Sequence, residues 1–467
     1  MTDIRLFLSS ITFSQLCSKL NIPYLICLSS FAQLEILYFQ AMNSRNLILL
    51  LFLSFFACKS SQPANQSYTA FTGATIMDGS GTDPIPNGVL LIRQGRVVAV
   101  GTKETVTIPQ NTIIKDVSGK TILPGLINAH GHVGDVKGIE GGHYSEANII
   151  DNLALYARYG ITTVVSLGGD KKQAVSLRAL NDTTATQRAR LYIAGEVISG
   201  NTPAQAMAVI DSNHQMGVDF MKIRVDDNLG TSPKMSEEIY RAVIARSHEL
   251  GYKIATHMYY LEDARKLLEA GTDLLAHSVR DLPVDETFIR LIKEKKAAYC
   301  PTLTRELSTF VYEDTAAFFA DPFFTKEYDK VTIQALMDPA RQLQVSNSQS
   351  AKIYKQQLPI AMSNLKTLSD QGVPIIFGTD SGMPARFIGY FEHLEMEMMA
   401  QAGLTPMQII LSATKQAAEY LNLKEVGSLS AGNWADFIIL EADPLVDIRN
   451  LRKISQVFIG GQELKAK

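Results

Sequence analysis

The chain has 467 residues, of which 46% are hydrophobic and 19% are charged, a composition that allows a large globular core. Its formal net charge of −3 argues against nucleic acid as a partner, because binding a phosphate backbone requires a concentrated basic surface. The cysteines are too few and too scattered for a disulfide framework, and none belongs to a CxxC metal pair. They are Cys17, Cys27, Cys58 and Cys300.

The segment 42–58 has the pattern of a secretory signal. Arg45 is followed by residues 47–57, a run of 11 residues without a charge, which is too short to span a bilayer as a mature helix. Cys58 resembles the lipid-modified cysteine of bacterial lipoproteins, although Phe55 departs from the aliphatic residue usual three positions upstream. The alternative is an ordinary signal peptide that is cleaved slightly downstream. The segment therefore predicts an exported protein, either periplasmic or held at a bacterial membrane by a lipid anchor.

The residues on either side of this signal are not expected to belong to the fold. Residues 1–41 precede a second methionine, Met42, that would start the signal naturally, so they are interpreted as non-native sequence or as a leader. Residues 59–67 are rich in Ser and Gln and are typical of a flexible tether.

Short β-prone runs separated by turn residues fill residues 68–121. The same pattern returns at the end of the chain, in residues 425–467. Several short strands at close spacing favour a small β-sandwich, and the shared pattern predicts that both ends of the chain build it together.

Between these ends, in residues 122–424, predicted strands alternate with predicted helices. Glycines follow the helices, as Gly271 follows residues 261–270, which is the usual way for a helix to end. The strand count is typical of an α/β fold, a (β/α)8 TIM-type barrel, and a doubly wound open sheet is the alternative. The predicted strands are residues 122–133, 162–167, 190–194, 219–224, 253–257, 273–277, 298–302 and 374–380.

The first of these strands ends in two histidines, His130 and His132, with Gly131 between them. Side chains alternate faces along a strand, so the two imidazoles point the same way and the glycine leaves room for a close approach. Two convergent imidazoles suggest half of a metal site. The alternative is that one histidine lines the core and the other is solvated.

Other polar residues fall at the ends of further predicted strands. The C-terminal strand ends carry the chemistry of a (β/α)8 barrel, and imidazole with carboxylate is a donor set for zinc and related metals. Simpler interpretations are a lysine that forms a salt bridge beside Arg224, histidines satisfied in the core, and an aspartate that caps a helix. The residues are Lys222 on the fourth strand, His257 on the fifth, His277 on the sixth and Asp380 on the eighth.

These residues lie within the strings LPGLINAHGHV, VDFMKIRV, ATHMYYLEDARKLLEAGTDLLAHSV and IIFGTDSG. The strings resemble the amidohydrolase superfamily, in particular its imidazolonepropionase-like and metal-dependent prolidase-like branch. Near the C-terminus, GSLSAGNWADFIIL and AQAGLTPMQIILSATKQAAEYLNL look like the sandwich strands and the helical lead-in of the same family. The resemblance covers residues 68–467 and implies a barrel with a small β-sandwich.

The resemblance implies a role for each strand-end residue. His130, His132 and Asp380 would hold a buried divalent metal ion, with zinc as the expected metal. Lys222 would bridge this ion to a second, more exposed one as a carboxylated lysine, because a carbamate supplies two anionic oxygens whereas an ammonium repels cations. The ligands of the second ion would be His257 and His277.

The same resemblance implies how the site would react. The nucleophile would be a metal-bridging hydroxide, since bound Zn²⁺ lowers the pKa of water to about 7. Asp380 would take the proton and pass it to the leaving nitrogen.

A second group of residues is a candidate for substrate contacts. An arginine binds a carboxylate bidentately, so Arg280 or Arg305 could hold the free carboxylate of a dipeptide or an N-acyl amino acid. The alternatives are a rim salt bridge for either arginine, for example to Glu306, and packing for the tyrosine. The full group is His143, Tyr259, Arg280 and Arg305.

The segment 310–330 is rich in Phe and Tyr and interrupts the last predicted repeats. It is interpreted as a lid over the site, a packing insertion or an oligomer contact.

The sequence thus predicts an exported metal-dependent hydrolase that cleaves an amide-type C–N bond. A dipeptidase of the Xaa-Pro type or an N-acyl amino acid hydrolase is favoured by Lys222 and by the export signal. The alternatives are a cyclic amidohydrolase of the imidazolonepropionase type and a non-catalytic metal-binding surface lipoprotein. The expected partners are a small molecule or dipeptide substrate, two divalent metal ions and further copies of the chain in a homo-oligomer.

Overall fold

The computed structural model describes residues 67–184 and 186–465. The predicted leader, the signal segment with Cys58, and all but the last residue of the tether lie outside the described residues. No helix in the described part of the chain combines the length and the apolar character needed to cross a bilayer.

The strands run through the whole described chain. In order they are β1 (Thr69–Ile76), β2 (Ile85–Arg93), β3 (Arg96–Gly101), β4 (Ile113–Asp116), β5 (Thr121–Pro124), β6 (Leu126–Gly131), β7 (Ile161–Ser166), β8 (Arg190–Ile193), β9 (Met221–Arg224), β10 (Ile254–His257), β11 (Leu274–Ala276), β12 (Ala298–Cys300), β13 (Phe437–Leu440), β14 (Ile454–Ile459) and β15 (Gln462–Glu463).

The α-helices lie between β6 and β13. In order they are α1 (Glu146–Arg158), α2 (Lys172–Arg178), α3 (Pro203–Met216), α4 (Glu237–Glu249), α5 (Leu261–Ala270), α6 (Glu286–Glu294), α7 (Leu303–Leu307), α8 (Pro322–Thr325), α9 (Lys330–Leu336), α10 (Pro339–Asn347), α11 (Gln349–Asp370), α12 (Tyr390–Gln401), α13 (Pro406–Ser412) and α14 (Lys415–Tyr420).

Both ends of the chain contribute to one mixed, eight-stranded sheet. Its order is β15-β14-β13-β5-β1-β2-β3, and β4 pairs with β1. The two ends meet in the antiparallel pair of β5 and β13, where Pro124 lies opposite Phe437. Because β6 follows β5 after a single residue, Gly125, this sheet supports the start of the strand that carries His130.

The terminal sheet curls until its halves face each other. Beyond β3, the amide of Val97 donates to the carbonyl of Asn433 at 2.9 Å, just before β13. The ring of Phe71 on β1 lies 5.0 Å from the rings of both Phe437 and Phe458. In a flat sheet the three strand steps from β1 to β14 would separate those backbones by about 14 Å. The buried aromatic side chains therefore fill the inside of the curl.

The parallel strands form a three-stranded sheet, β6-β7-β8, and a four-stranded sheet, β9-β10-β11-β12. The segment 374–380, predicted as a strand, and the residue after it, Ser381, make isolated bridges rather than a regular ladder. Pro374 lacks an amide donor, and Asp380 has a left-handed backbone, φ 59°, so both ends of the segment depart from regular strand geometry. The isolated parallel bridges are Ile198 to Ile223, Tyr299 to Ile375 and Gly131 to Ser381.

The predicted helix boundaries are confirmed where glycine or a capping side chain marks them. The side chain of Ser145 accepts a hydrogen bond from the Asn148 amide at the start of α1. Helix α5 ends at Ala270, and Gly271 adopts φ 99° while its amide donates to the last turn. A side chain would be strained at that backbone angle, which is why glycine ends the helix.

The aromatic segment 310–330 packs as a small core of its own. Phe318 and Phe324 are buried, with ring centroids 5.2 Å apart. They contact Phe387 and Tyr390, which lie between the last candidate ligand and the start of α12. The segment therefore covers the chain that follows Asp380.

Candidate metal centre

Strand β6 delivers the two histidines to one end of the parallel sheets. His130 is buried and His132, just past the strand, is partly exposed. Their rings lie 5.9 Å apart. A Cβ atom on Gly131 would lie 2.7 Å from the Tyr156 hydroxyl, so the glycine is required by a close contact behind the pair.

Asp380 completes a cluster with this pair. Its Oδ1 lies 2.8 Å from His132 Nε2 and 3.5 Å from His130 Nε2. The possible donor atoms of the three residues all lie within 4.8 Å of one another. Burial alone would raise the pKa of Asp380, but Arg386 and the two histidines hold it well below its usual range. Arg386 pairs directly with Asp380 Oδ2, a contact that the sequence did not indicate.

Lys222 reaches the same cluster from β9. Its Nζ lies 3.4 Å from His130 Nε2, and the residue is buried. Burial lowers the pKa of Lys222 to about 8, because the charged form is poorly solvated there. No carboxylate forms an ion pair with Lys222 among the described residues, so the salt-bridge interpretation lacks a partner.

His257 and His277 extend the cluster along β10 and β11. Their rings lie 4.2 Å apart, and the ring of His277 lies 4.7 Å from that of His130. His257 Nε2 contacts Asp226 Oδ2 at 2.8 Å, and His277 Nδ1 contacts Thr302 Oγ1 at 2.7 Å. Burial lowers the pKa of His257 to about 3, which keeps the imidazole neutral, the form that binds metals.

Two of these positions carry an unusual backbone. His277 has φ 141° and Asp380 has φ 59°, values that residues other than glycine rarely adopt. Such conformations cost about 1–3 kcal/mol and cluster at functional sites. The unfavourable backbone conformations of His277 and Asp380 therefore lower the stability of the fold, and they direct both side chains towards the cluster.

The residues present fit divalent metal ions. Burial lowers the pKa of His130, His257 and His277, which keeps these imidazoles neutral, and the carboxylate of Asp380 is ionised. His130 Nδ1 is buried without a hydrogen-bond partner among the described residues. Neutral imidazole and carboxylate at the ends of parallel strands are the donors that zinc and related ions prefer.

The profile of the Amidohydrolase family matches residues 121–464, which is most of the chain. The chain belongs to the amidohydrolase family. It is thus a metal-dependent hydrolase that acts on C–N bonds of small molecules, and the predicted family is confirmed.

Known proteins similar to this amidohydrolase have several activities. A 5-methylthioadenosine/S-adenosylhomocysteine deaminase of Bacillus cereus is 24% identical over 409 residues, covering 80% of this chain and 85% of its own. A Xaa-Pro dipeptidase solved with methionine in its active site superposes with a TM-score of 0.68 at 20% identity, covering 86% of this chain and all of its own. Molinate hydrolase gives a TM-score of 0.67 at 22% identity, covering 85% and 94%. At such identities the solved structures establish the α/β fold.

Glu392, a buried glutamate of α12, links β6, which carries His130, to the segment that ends at Asp380. Glu392 Oε1 accepts hydrogen bonds from Asn128 Nδ2 at 2.7 Å and from Thr379 Oγ1 at 2.6 Å. Asn128 Oδ1 in turn accepts from the His130 amide at 2.9 Å. The pKa of Glu392 is raised by burial. Sequence reasoning missed this residue because one of its partners, Asn128, lies 264 positions away in β6.

A second glutamate of the same helix acts three residues further on. Glu395 accepts hydrogen bonds from the amides of Leu303 and Thr304, each at 2.6 Å. These residues follow Thr302, which contacts His277. Helix α12 therefore holds two different parts of the candidate site in place with buried carboxylates.

The four candidate substrate-contact residues differ in how deeply they are buried and in which residues they contact. Arg280 is fully buried, and it shares Glu306 with Arg305 at 3.1 and 2.9 Å, so a buried ion triad replaces the rim salt bridge considered from the sequence. Tyr259 is buried and its hydroxyl donates to Gln357.

His143 remains on an exposed loop, 3.9 Å from Glu140. For all four residues a substrate contact stays a prediction.

Proposed function

We propose that this amidohydrolase is a dipeptidase of the Xaa-Pro type or an N-acyl amino acid hydrolase with a two-metal site. The observation that carries the proposal is the convergence of ligand-type side chains at the ends of separate strands. One of them is a buried lysine that forms no ion pair with a carboxylate in the described part of the chain. The similarity to a Xaa-Pro dipeptidase supports the peptidase interpretation. The proposed ligands are His130, His132, Lys222, His257, His277 and Asp380.

His130, His132 and Asp380 would hold one ion, and His257 and His277 the other. Ions bound there would polarise the amide carbonyl and lower the pKa of an attacking water. Asp226 and Thr302 would orient the two histidines of the second ion through the hydrogen bonds described above, as partners of ligand histidines do in metal sites.

Lys222 would join the two ions as a carbamate. Carbamate formation joins the neutral amine to CO₂ and releases one proton, which leaves two anionic oxygens on the side chain. The position of Nζ beside His130 supports this role, because an unmodified ammonium at that point would repel a cation.

Asp380 would transfer the proton. Its carboxylate lies beside both first-cluster imidazoles, within reach of a water that attacks an amide held there. It would accept the proton of that water and deliver it to the departing nitrogen. Arg386, paired with the other carboxylate oxygen, would fix its orientation.

We also propose that the fold is a closed (β/α)8 barrel with a terminal β-sandwich. The bridges of segment 374–381 to β12 and β6, and that of Ile198 to β9, support closure of the parallel strands. The facing aromatic rings of β1, β13 and β14 support two layers in the terminal sheet.

Export, with lipid attachment at Cys58, and homo-oligomerisation are further parts of the proposal. Export is supported by the signal pattern of residues 42–58, and lipid attachment by Ala57 before the cysteine. Labelling of cells with a radioactive fatty acid tests the attachment, and a Cys58→Ser variant should lose the label. Sedimentation of the purified enzyme tests the oligomer.

Metal analysis tests the two-metal site. The purified enzyme, expressed with bicarbonate, is expected to contain close to two equivalents of divalent metal. One equivalent or none would refute the carbamate-bridged site. Lys222→Ala should retain at most one equivalent, whereas Lys293→Ala, in the exposed last turn of α6, should retain two.

A substrate screen tests the reaction. Xaa-Pro and other dipeptides, N-acyl amino acids, cyclic amides and 5′-methylthioadenosine are compared, and dipeptides or N-acyl amino acids are expected to turn over best. Asp380→Asn should abolish turnover while most of the metal stays bound, and Asp370→Asn, exposed at the end of α11, should be fully active. Turnover of only cyclic amides or the nucleoside would overturn the proposed substrate class.

A further inference from the structure

A cavity of about 560 Å³ lies beside the candidate metal centre. It opens between the loop that follows β8 and the loop that follows β9, on the side of the strands where the cluster lies. Its lining includes Ser199, Asn201, Arg224, Asp226 and Lys234. The cavity and the centre share a wall at Asp226, because the carboxylate of Asp226 also contacts His257 at 2.8 Å.

Arg224 is the charged group in this cavity that is least compensated. Its side chain is 44% exposed, whereas that of Asp226 is fully buried. Of the guanidinium nitrogens only Nη2 has partners among the described residues, namely Asn228 Oδ1 and, at 3.4 Å, Asp226 Oδ2. Asp226 Oδ2 is shared with His257, and Asp226 Oδ1 accepts from the Asn228 amide at 2.9 Å. Nε and Nη1 of Arg224 are thus left for a ligand.

The other cation of the cavity is already neutralised. Lys234 Nζ lies 2.7 Å from Asp263 and 3.8 Å from Asp227. It also lies 4.1 Å above the ring of Tyr260. The positive charge of Lys234 is therefore neutralised by carboxylates of the protein, which leaves Arg224 as the group that can bind an anion.

Arg224 lies close enough to the candidate metal centre to contact a substrate bound there. Arg224 and Lys222 lie two residues apart on β9, so their side chains leave the strand on the same face, about 7 Å apart along it. One or two residues of an extended peptide span that distance. An anionic group of a substrate whose amide lies at the metal centre can therefore reach Arg224.

We propose that this cavity is a substrate subsite and that Arg224 binds a carboxylate of the substrate in it. The proposal rests on the proposed amide hydrolysis and adds the residue and the cavity that would bind a carboxylate of its substrate. Guanidinium and carboxylate form charge-assisted hydrogen bonds. The carboxylate is either the free C-terminus or an acidic side chain, which the test separates.

The kinetic test uses matched substrates on the metal-loaded full chain. A dipeptide turned over by the enzyme is compared with its C-terminal amide, and a Glu-containing dipeptide with its Gln counterpart. The wild type is expected to favour the carboxylate in one of the pairs by about 10- to 100-fold in kcat/KM, mainly through KM. The pair that shows the preference identifies the source of the carboxylate.

Variants assign the preference to Arg224. Arg224→Met should reduce it to less than about threefold, and Arg224→Lys should restore part of it because the charge returns without the planar fork. Arg246→Met removes a half-exposed arginine of α4 that pairs with Glu249 and should leave the preference intact. No preference in either pair, or a preference that survives Arg224→Met, would overturn the subsite.

An equilibrium measurement decides the case in which no dipeptide is hydrolysed. Calorimetric titration of the metal-loaded full chain with succinate is compared with titration with succinamide, in wild type and in Arg224→Met. Succinate should bind the variant at least about tenfold more weakly, while direct binding to metal would be equal in both proteins. Equal affinities would overturn the subsite, whereas a loss in the variant would support it even though the proposed reaction had failed.

Discussion

Glu395 gives a sharp test of how the site is held together. It is fully buried on α12, and all its hydrogen-bond partners are neutral donors of the segment after β12. Burial raises the pKa of Glu395 from 4.5 to about 7. The folded protein therefore binds a proton at Glu395 more tightly than the unfolded chain does.

The sign and size of the pH effect follow from this shift. The stabilisation from the protonated carboxyl is complete below the unfolded pKa and is lost as the pH rises towards the folded value. Between pH 5 and pH 8 this loss amounts to about 2 to 3 kcal/mol of unfolding free energy. Glu395→Gln replaces the carboxyl by a neutral amide, so the variant should lack this part of the pH dependence at Glu395.

The assay is urea unfolding of metal-free protein, with chelator present, at pH 5 and pH 8. The fall in unfolding free energy between the two pH values should be about 2 to 3 kcal/mol smaller in Glu395→Gln than in the wild type. Glu249→Gln changes a largely exposed carboxylate on α4 and should behave as the wild type does. A pH dependence in Glu395→Gln equal to that of the wild type would refute the reasoning.

Three further predictions concern other parts of the structure. Arg190→Met should lower the unfolding free energy by about 3–5 kcal/mol, because it strands the buried Asp436, which now lies 2.5 Å from Arg190; Arg190→Met with Asp436→Asn should lose less in the same urea titration. Phe324→Ala should cost about 3–5 kcal/mol, since its fully buried ring lies at the centre of the aromatic segment; a cost below about 1 kcal/mol would mean that the segment packs loosely. Cys300 is buried and its thiol pKa is raised above the usual range, so in a chain that begins at Ser60, where it is the only cysteine, a thiol reagent should react only after urea is added.

The candidate ligands could be predicted from sequence because each lies at a recognisable strand end. Side-chain alternation in β6 predicts the pairing of His130 with His132, and the order of strands predicts that Lys222 and Asp380 approach them. The structure brings His130, His132 and Asp380 within one cluster. Local sequence patterns were thus sufficient to predict most of the candidate metal ligands.

The groups that hold the ligands could not be predicted in this way. Glu392 and Glu395 lie in a helix whose sequence gives no sign that acidic residues face inward. Their partners come from distant parts of the chain, Asn128 in β6 and Leu303 at the start of α7. Arg386 lies in an irregular loop, where no periodicity indicates direction. Arg280 and Glu306 are 26 positions apart and meet only because the loop after β11 packs against α7.

The pairing of β5 with β13 has a consequence for how the protein is made. Residue 124 finds its partner only when residue 437 has been synthesised, and Lys120 waits equally long for Glu441. During synthesis, β6 and its histidines therefore leave the ribosome before β13, the strand that pairs with β5, has been made. Contacts so distant in sequence slow folding, so the pairing of β5 with β13 is expected to form only after the last part of the chain has been made. Removing residues 437–467 is therefore expected to leave the strand that carries His130 without its foundation, although no candidate ligand would have been deleted.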